Sequence, residues 1–283
     1  MSGVQVMTIK INNEGIRIRP SAVESFYSCP YAWGKNFLEG SSSIPNSRAA
    51  IGTAIHAGVE AMWNESIASG KKEAHLDTMV DAAIDAWKEE THDGIQFGNN
   101  EDNNTCEIEI VKGTEAFIED IVPFTSIPKA VETFYEVPIH NPLVSSLGGT
   151  IDYLGAGVIA DVKTSKRKSG PDGHTVQQSI YKYLAEANGE KINDNLIQQI
   201  VLTKQPTGAI LQLEPDVEQA KYLVNGILDV MDVIAKDIVP IETLLRPNPK
   251  HIFCSEKFCA HYNTCPAIKG NLQPKEVIQK VKL

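Results

Sequence analysis

The stretch of residues 149–166 constrains the fold of this chain more than any other part of it. Two short runs rich in β-forming residues flank a Gly-Ala-Gly segment at 155–157, a composition that predicts a β-hairpin. A turn centred on its last two residues pairs Leu154 with Ile159, and this register decides which side chains share a face. The predicted core face is apolar and consists of Ile151, Tyr153, Val158, Ala160 and Val162.

The opposite face of this hairpin is charged. The same register places Asp152 opposite Asp161, and strand alternation puts Lys163 on that face as well. Two carboxylates facing each other repel, so a sequence selected only for stability should avoid the pair. A divalent cation would turn the repulsion into ligation. The hairpin therefore predicts a metal-dependent site for phosphate chemistry, with the lysine near a negatively charged substrate.

The pattern Asp-x8-Asp-x-Lys is short, and an ordinary surface hairpin with solvated ion pairs would also show it. Three further features bear on the choice. His56 lies in a predicted helix and could be an additional metal ligand, although a lone helical histidine is more often structural. Gln177 and Tyr181 share a helix face that either points at the metal or forms a polar edge. The paired glutamates at 132 and 136 share one strand face, and the sequence does not choose between them.

Composition and charge set limits on the function. The chain has 283 residues, of which 42% are hydrophobic and 22% charged, as in ordinary globular proteins. A net charge of −10 argues against a general nucleic-acid coat but permits an enzyme that holds DNA through a local basic groove. The sequence shows neither a signal peptide nor an apolar run of about 20 residues, so we expect a cytoplasmic protein without membrane contact.

The order of periodic segments predicts a mixed α/β protein. Ser21 and Glu24 form a capping-box pattern that would open the first helix, which we predict to run through about Leu38. The other predicted helices cover 49–68, 72–90, 105–121, 175–188 and 215–236, and the predicted strands cover 130–139, the hairpin, 196–203 and 209–213. We divide the chain into a β-ribbon (1–20), a helical region (21–125), a core (126–238) and a cysteine segment with its tail (239–283).

The cysteines provide the second strong signal. Cys254, Cys259 and Cys265 lie close together near the C-terminus, and Cys29 is the obvious fourth ligand of a four-cysteine site. Such a site would tie the N-terminal helix to the C-terminal segment. Spacing alone does not separate zinc from an iron–sulfur cluster, and His261 could replace Cys29 in a local zinc site.

Taken in order, these motifs resemble the PD-(D/E)XK nuclease superfamily. They are most similar to its RecB-like branch, which includes the AddB nuclease domain and the CRISPR-associated adaptation exonucleases with an iron–sulfur cluster. The matching segments are residues 21–30, 52–56, 149–152 and 161–164, Gln177 with Tyr181, and the cysteine triplet.

The resemblance implies a role for each matching residue. The implied ligands of a catalytic Mg²⁺ or Mn²⁺ ion are His56, Asp152, Asp161 and the carbonyl of Val162. Lys163 matches the lysine that orients or activates the attacking water, and Gln177 and Tyr181 match the helix motif that follows. The implied ligands of a [4Fe–4S] cluster are Cys29, Cys254, Cys259 and Cys265, with zinc as the alternative occupant. One departure is the gap of four residues between the first two cysteines of the triplet, where relatives have two.

The resemblance also implies a fold and an activity. We expect a restriction-endonuclease-like mixed sheet with flanking helices, a helical insertion before it and a metal-cluster clasp at its C-terminal end. The expected activity is metal-dependent cleavage of DNA, as an exonuclease on single strands or ends, in recombination, repair or phage- or CRISPR-related processing. The chain has no G-x4-G-K-[ST] phosphate loop, so a helicase or recombination partner would be a separate protein. The alternatives are a non-catalytic DNA-end-binding or adaptor protein and a zinc-clasped interaction module.

Overall fold

The helices and strands of the structure lie close to the bounds that the periodicity of the sequence predicts. The computed structural model of the chain describes residues 15–40, 45–72, 75–237, 239–256 and 258–268. The helices are α1 (Pro20–Ser28), α2 (Pro30–Phe37), α3 (Ser47–Ser69), α4 (Leu76–Thr91), α5 (Asn103–Asp120), α6 (Thr175–Ala187), α7 (Val217–Ala235) and α8 (Ile241–Leu244). The strands are β1 (Ile16–Ile18), β2 (Ala130–Pro138), β3 (Val144–Leu154), β4 (Val158–Ser165), β5 (Asp194–Val201) and β6 (Thr207–Leu213). The predicted mixed α/β order is confirmed.

The first predicted helix is divided in two, and its predicted cap is wrong. α1 begins at Pro20 rather than after Ser21, because proline suits the first helical position, where its missing N–H is not needed. Arg19 occupies the N-cap without a side-chain hydrogen bond. Cys29 then has extended backbone (φ −157°, ψ 92°), because Pro30 disfavours helical geometry in the residue before it. The cysteine therefore lies at a break between two helices.

The predicted N-terminal β-ribbon is described only in part. Residues 1–14 lie outside the described part of the chain. Residues 16–18 form β1, and the Ile16 N–H donates to the Leu143 carbonyl at 2.9 Å. The described end of the ribbon is therefore a short sheet strand.

The sheet combines antiparallel and parallel pairing. Its strand order is β1-β3-β4-β5-β6, and β2 also pairs with β3. β3 and β4 are antiparallel, β4 and β5 are parallel, and β5 and β6 are antiparallel. A parallel pair needs a crossover connection, and α6 supplies it between β4 and β5. The buried Asn195 of β5 fixes this helix to the sheet by donating to the Gln178 carbonyl at 3.1 Å.

The chain divides into two compact units, each assembled from separate segments. Unit 1 comprises Met1–Ser43, Pro138–Ser146 and Tyr222–Leu283, and unit 2 comprises Ile44–Val137 and Leu147–Lys221. The four successive segments that the sequence suggested stay a prediction. In unit 2 the core forms around the fully buried Trp63, whose ring meets those of Phe117 and Tyr153 edge-on, with centroids 6.5 and 6.0 Å away.

Unit 1 has its own aromatic core on α1 and α2. Trp33 is 1% exposed, and its ring lies 5.2 Å from that of Phe26 and 5.1 Å from that of Phe37. The Tyr27 hydroxyl donates to the Leu223 carbonyl of α7 at 2.7 Å. Among the described residues, no helix has both the length and the apolar character needed to cross a membrane.

Candidate active site

The hairpin brings its two aspartates together in unit 2. The predicted register is confirmed, since Leu154 pairs with Ile159. The turn closes with a hydrogen bond from the Gly155 N–H to the Val158 carbonyl at 2.7 Å, and Gly157 has the positive φ of 80° that favours glycine.

Further along the hairpin, the Asp152 side chain accepts a hydrogen bond from the backbone of β4. The Val162 N–H donates to Asp152 Oδ2 at 2.7 Å, which fixes that carboxylate against β4. Burial raises the pKa of Asp152 and nearby Asp161 raises it further, while His56 acts in the opposite direction. The carboxylates are therefore held close enough to repel, as the sequence predicted.

Helix α3 carries His56 to the same place. The imidazole Nδ1 lies 3.3 Å from Asp152 Oδ2. The helix can approach β4 closely because Gly52 has no side chain: a Cβ there would lie 3.1 Å from Thr164 Oγ1. This close approach gives the glycine of the segment at 52–56 a structural reason.

Glu132 is the site residue that the sequence could not select. Ligand atoms of His56, Glu132 and Asp152 all lie within 4.8 Å of one another, whereas neither Glu136 nor the predicted ligand Asp161 is in this group. Glu132 has a left-handed backbone (φ 46°) inside β2, an uncommon conformation for a residue other than glycine. Such a residue breaks the alternation of side chains along the strand, so simple periodicity could not identify the inward-facing glutamate. Burial, followed by the neighbouring carboxylates, raises the pKa of Glu132 to about 7.

Lys163 and two side chains of α6 surround Asp161, which is 2% exposed. The Lys163 ammonium lies 2.5 Å from Asp161 Oδ2. Gln177 Nε2 donates to Asp161 Oδ1 at 3.3 Å and is 3.2 Å from the Tyr181 hydroxyl. Burial and the negative charge of Asp161 raise the pKa of Tyr181, so its phenol stays protonated. The helix face predicted from the spacing of Gln177 and Tyr181 therefore points at the aspartate.

The donor set fits a divalent cation. Asp161 Oδ2 is buried, and its partner among the described residues is the Lys163 ammonium, 2.5 Å away. The carboxylates of Asp152 and Glu132 are also available, and carboxylate oxygens together with one imidazole suit Mg²⁺ or Mn²⁺. Val162 lies beside these groups, because its N–H contacts Asp152. A cation here would relieve repulsion that the protein alone leaves in place.

A cleft opens beside this group. It has a volume of about 460 Å³ and is lined mainly by small side chains of α3. His56 and Glu132 form part of its wall, together with Glu60. The candidate metal ligands are therefore reachable from outside.

Lys166, a basic residue in the loop after β4, is engaged within the protein. Its ammonium lies 2.6 and 2.8 Å from the two carboxylate oxygens of Glu109 on α5. Arg48 also donates to Glu109, at 2.6 Å. The lysine is therefore part of an ion-pair network that joins the loop after β4 to two helices.

In unit 1 the four candidate cluster cysteines lie around one cavity. This cavity measures about 480 Å³, and its walls include Cys29, Cys254, Cys259 and Cys265. Burial raises the pKa of Cys265, and its three partner cysteines raise it further. The Asn248 N–H lies 3.5 Å from Cys29 Sγ. The structure thus brings together cysteines more than two hundred residues apart in the sequence.

The spacing of these sulfur atoms bears on what they could hold. All four cysteines are described, and no three of their sulfur atoms lie within 4.8 Å of one another. A tetrahedral zinc ion would hold sulfur ligands roughly 3.8 Å apart, from a zinc–sulfur bond of about 2.3 Å. In a [4Fe–4S] cluster each thiolate binds a different iron atom, so the sulfur atoms are spread further. His261, the alternative ligand, has its Nε2 2.8 Å from Asn36 Oδ1.

Comparison with known proteins places this geometry in a family. The model of the PD-(D/E)XK nuclease superfamily matches residues 17–266 of the chain. A crystal structure of a "putative exonuclease" from Eubacterium rectale is similar with a TM-score of 0.57 and 13% sequence identity, covering 93% of this chain and 91% of that chain. The crystal structure of SSO0001 is 20% identical over 48% of this chain and 59% of that chain, but its TM-score of 0.31 supports no structural argument. No curated protein is similar enough to be matched. The predicted restriction-endonuclease-like fold is confirmed.

Proposed function

Because this chain belongs to the PD-(D/E)XK nuclease superfamily, we propose that it is a metal-dependent deoxyribonuclease, acting as an exonuclease on single-stranded DNA or DNA ends. The observation that carries the proposal is the group of His56, Glu132 and Asp152, whose ligand atoms all lie within 4.8 Å of one another, with the buried Asp161 and its Lys163 ion pair close by. Several carboxylates gathered and partly buried at short range are costly to the fold unless a cation binds between them.

We assign Mg²⁺ or Mn²⁺ to this site. The residues that would hold the ion are His56, Glu132, Asp152, Asp161 and the carbonyl of Val162. When bound, the ion supplies Lewis-acid polarisation of the scissile phosphate and acidifies the attacking water.

The chain's own side chains orient the substrate and hold protons. The Lys163 ammonium donates hydrogen bonds to the attacking water or to a phosphate oxygen, and its charge offsets negative charge that grows in the transition state. Gln177 holds Asp161 in place through its hydrogen bond at 3.3 Å. The protonated Tyr181 lies behind the amide and remains neutral beside the carboxylates. The cleft along α3 lets an extended strand reach the site.

We further propose that the chain belongs to the RecB-like branch and that Cys29, Cys254, Cys259 and Cys265 bind a [4Fe–4S] cluster. The four cysteines line one cavity, which supports a shared site for a metal or a cluster. The roles in recombination, repair or phage- or CRISPR-related processing, the cytoplasmic location and a separate helicase or recombination partner are part of the same proposal.

The test of the proposed activity is cleavage of end-labelled single- and double-stranded DNA by anaerobically purified protein. Reactions contain Mn²⁺, Mg²⁺ or EDTA, and Asp161→Ala is compared with Asp172→Ala, which alters an exposed aspartate outside the site. We expect metal-dependent release of nucleotides from ends, lost with Asp161→Ala and kept with Asp172→Ala. A folded wild-type protein that binds DNA ends without cleaving them would instead establish the non-catalytic binding protein.

The visible spectrum of the same sample tests the cluster. A [4Fe–4S] cluster gives a broad brown absorbance near ~400 nm, and iron and sulfide are expected at about four atoms each. A colourless protein with one zinc atom per chain would replace the cluster with a zinc site.

A further inference from the structure

Gln199 of β5 lies next to Lys163 in the parallel pairing of β4 and β5. Neighbouring strands are about 4.8 Å apart, and paired residues of a parallel ladder project from the same side of the sheet. This side also carries Asp161 and packs against α6, because Gln177 contacts Asp161. Gln199 is therefore on the active-site face, one strand away from the lysine.

Gln199 is fully buried and only half satisfied. Its exposed fraction is 0%, and its Nε2 donates to Ser169 Oγ in the loop before α6. Its Oε1 accepts no hydrogen bond from the described residues. Leaving a buried carbonyl oxygen without a donor costs free energy, so this acceptor requires an explanation.

The Lys163 ammonium is the cationic donor that a metal ion would displace. It lies 2.5 Å from Asp161 Oδ2, the same oxygen that a divalent cation would take. Two cations cannot share this oxygen at close range without repulsion. When the ion binds, the ammonium needs another acceptor nearby.

We propose that Gln199 is a positioning residue for Lys163: when a divalent cation takes Asp161 Oδ2, the lysine ammonium turns to Gln199 Oε1. The amide keeps the lysine beside the reacting phosphate and lowers the cost of giving up its pair with Asp161. Ser169 fixes the orientation of the amide by accepting from its Nε2. This inference rests on the proposed function, since it assumes a cation at Asp161.

Gln198 provides a matched control on the same strand. It is also fully buried, and neither of its side-chain polar atoms has a partner among the described residues. Strand alternation places it on the opposite side of the sheet. Its neighbours there are Ile200, which belongs to the apolar core of unit 2, and Leu196, which packs against that core.

The test is a calorimetric titration of the full chain with Mn²⁺ alone, with Asp161→Ala as the blank for binding elsewhere. Gln199→Met should weaken Mn²⁺ binding about tenfold, the loss expected from removing a hydrogen bond to a charged group. Gln198→Met should leave the affinity unchanged. In a Lys163→Met background, Gln199→Met should have no further effect, because the donor it serves is gone.

Circular dichroism reports whether each variant folds, and Gln199→Asn, whose shorter amide withdraws the acceptor, replaces Gln199→Met if the latter does not fold. Equal effects at positions 198 and 199, or an effect of Gln199→Met that persists without Lys163, would overturn the inference.

DNA cleavage separates the two proposals. Mn²⁺ binding that depends on Gln199 in a protein without cleavage refutes the nuclease alone. Cleavage with normal affinity in Gln199→Met refutes the positioning role alone.

Discussion

The metal site of unit 2 and the cysteine site of unit 1 are built in opposite ways. The carboxylates and their neighbours stand on regular elements, which are the strands β2, β3 and β4 and the helices α3 and α6. Residues of α3, β3 and β4 share a core with the fully buried Trp63. Cys254 and Cys259 lie in turns, and the same segment exposes Ile252 (81%) and Phe258 (60%). We therefore expect the fold to hold the first proposed site, whereas the second should depend on a bound metal or cluster to hold its segment together.

This difference predicts which site can lose its function without losing its structure. The most severe effect is expected from Asp152→Asn. The amide can still accept from the Val162 N–H, but it supplies no charge to a metal ion, so the cleavage rate should fall on the order of 10³-fold or more.

Although Asp152→Asn should lose activity, its stability should stay the same or increase. Burial raises the pKa of Asp152 above its ordinary value. At a pH above that ordinary value, the ionised carboxylate therefore lowers the free energy of unfolding, and the neutral amide of the variant removes this cost. We expect the metal-free variant at pH 8 to melt at the same temperature as the wild type or higher. A clearly lower melting temperature would show that the site supports the fold and would break the comparison.

At the proposed cysteine site, Cys259→Ala should remove the cluster and also lower the stability of unit 1. The visible absorbance of the cluster should disappear, and unit 1 should lose on the order of 3 kcal/mol of unfolding free energy. Cys106→Ala is the control, because Cys106 is buried in the apolar core of unit 2 and should leave the spectrum unchanged. Urea unfolding followed by absorbance and circular dichroism separates the two effects. Unchanged stability without absorbance would mean that the segment folds by itself.

The sequence predicted the hairpin register, whereas the roles of the site residues stay a prediction. Alternation and a glycine turn determined the hairpin register, so Asp152, Asp161 and Lys163 could be placed in advance. Glu132 could not be chosen over Glu136, because the left-handed backbone at 132 is not encoded in periodicity.

Long-range contacts were harder to predict. The neighbour of Lys163 on β5 depends on the parallel register across the α6 crossover, and no local pattern fixes it. Likewise, Glu109 lies 57 residues before its partner Lys166. Local rules thus describe elements and turns, whereas tertiary packing decides which charges meet.

Glu132→Gln sharpens the comparison through pH. Folding raises the pKa of the Glu132 carboxyl from 4.5 to about 7. The folded protein therefore binds a proton at this carboxyl more tightly than the unfolded chain does. In metal-free protein, the contribution of Glu132 to the free energy of unfolding is therefore lost as the pH rises from 4.5 to about 7. The variant should match the wild type near pH 4.5 and exceed it by about 1–2 kcal/mol above pH 8, after allowance for partial solvent exposure. Denaturant unfolding across this range is the measurement, and Glu115→Gln, an exposed position on α5, should show no such trend.

Lys166→Ala should have the smallest effect. The lysine pairs with Glu109, which keeps Arg48 as a second partner, so the variant should lose about 0.5 kcal/mol of unfolding free energy and cleave DNA within about twofold of the wild type. If Lys166 contacted DNA phosphates instead, the slope of log affinity against log salt would become shallower by about one. Titrations of catalytically inactive Asp161→Ala protein with single-stranded DNA, with and without Lys166→Ala, distinguish these outcomes. Arg167→Ala removes an exposed cation from the same loop and serves as the matched comparison. An unchanged slope for Lys166→Ala would show that the charges of unit 2 divide between the metal site and an internal ion-pair network, and that Lys166 belongs to the network.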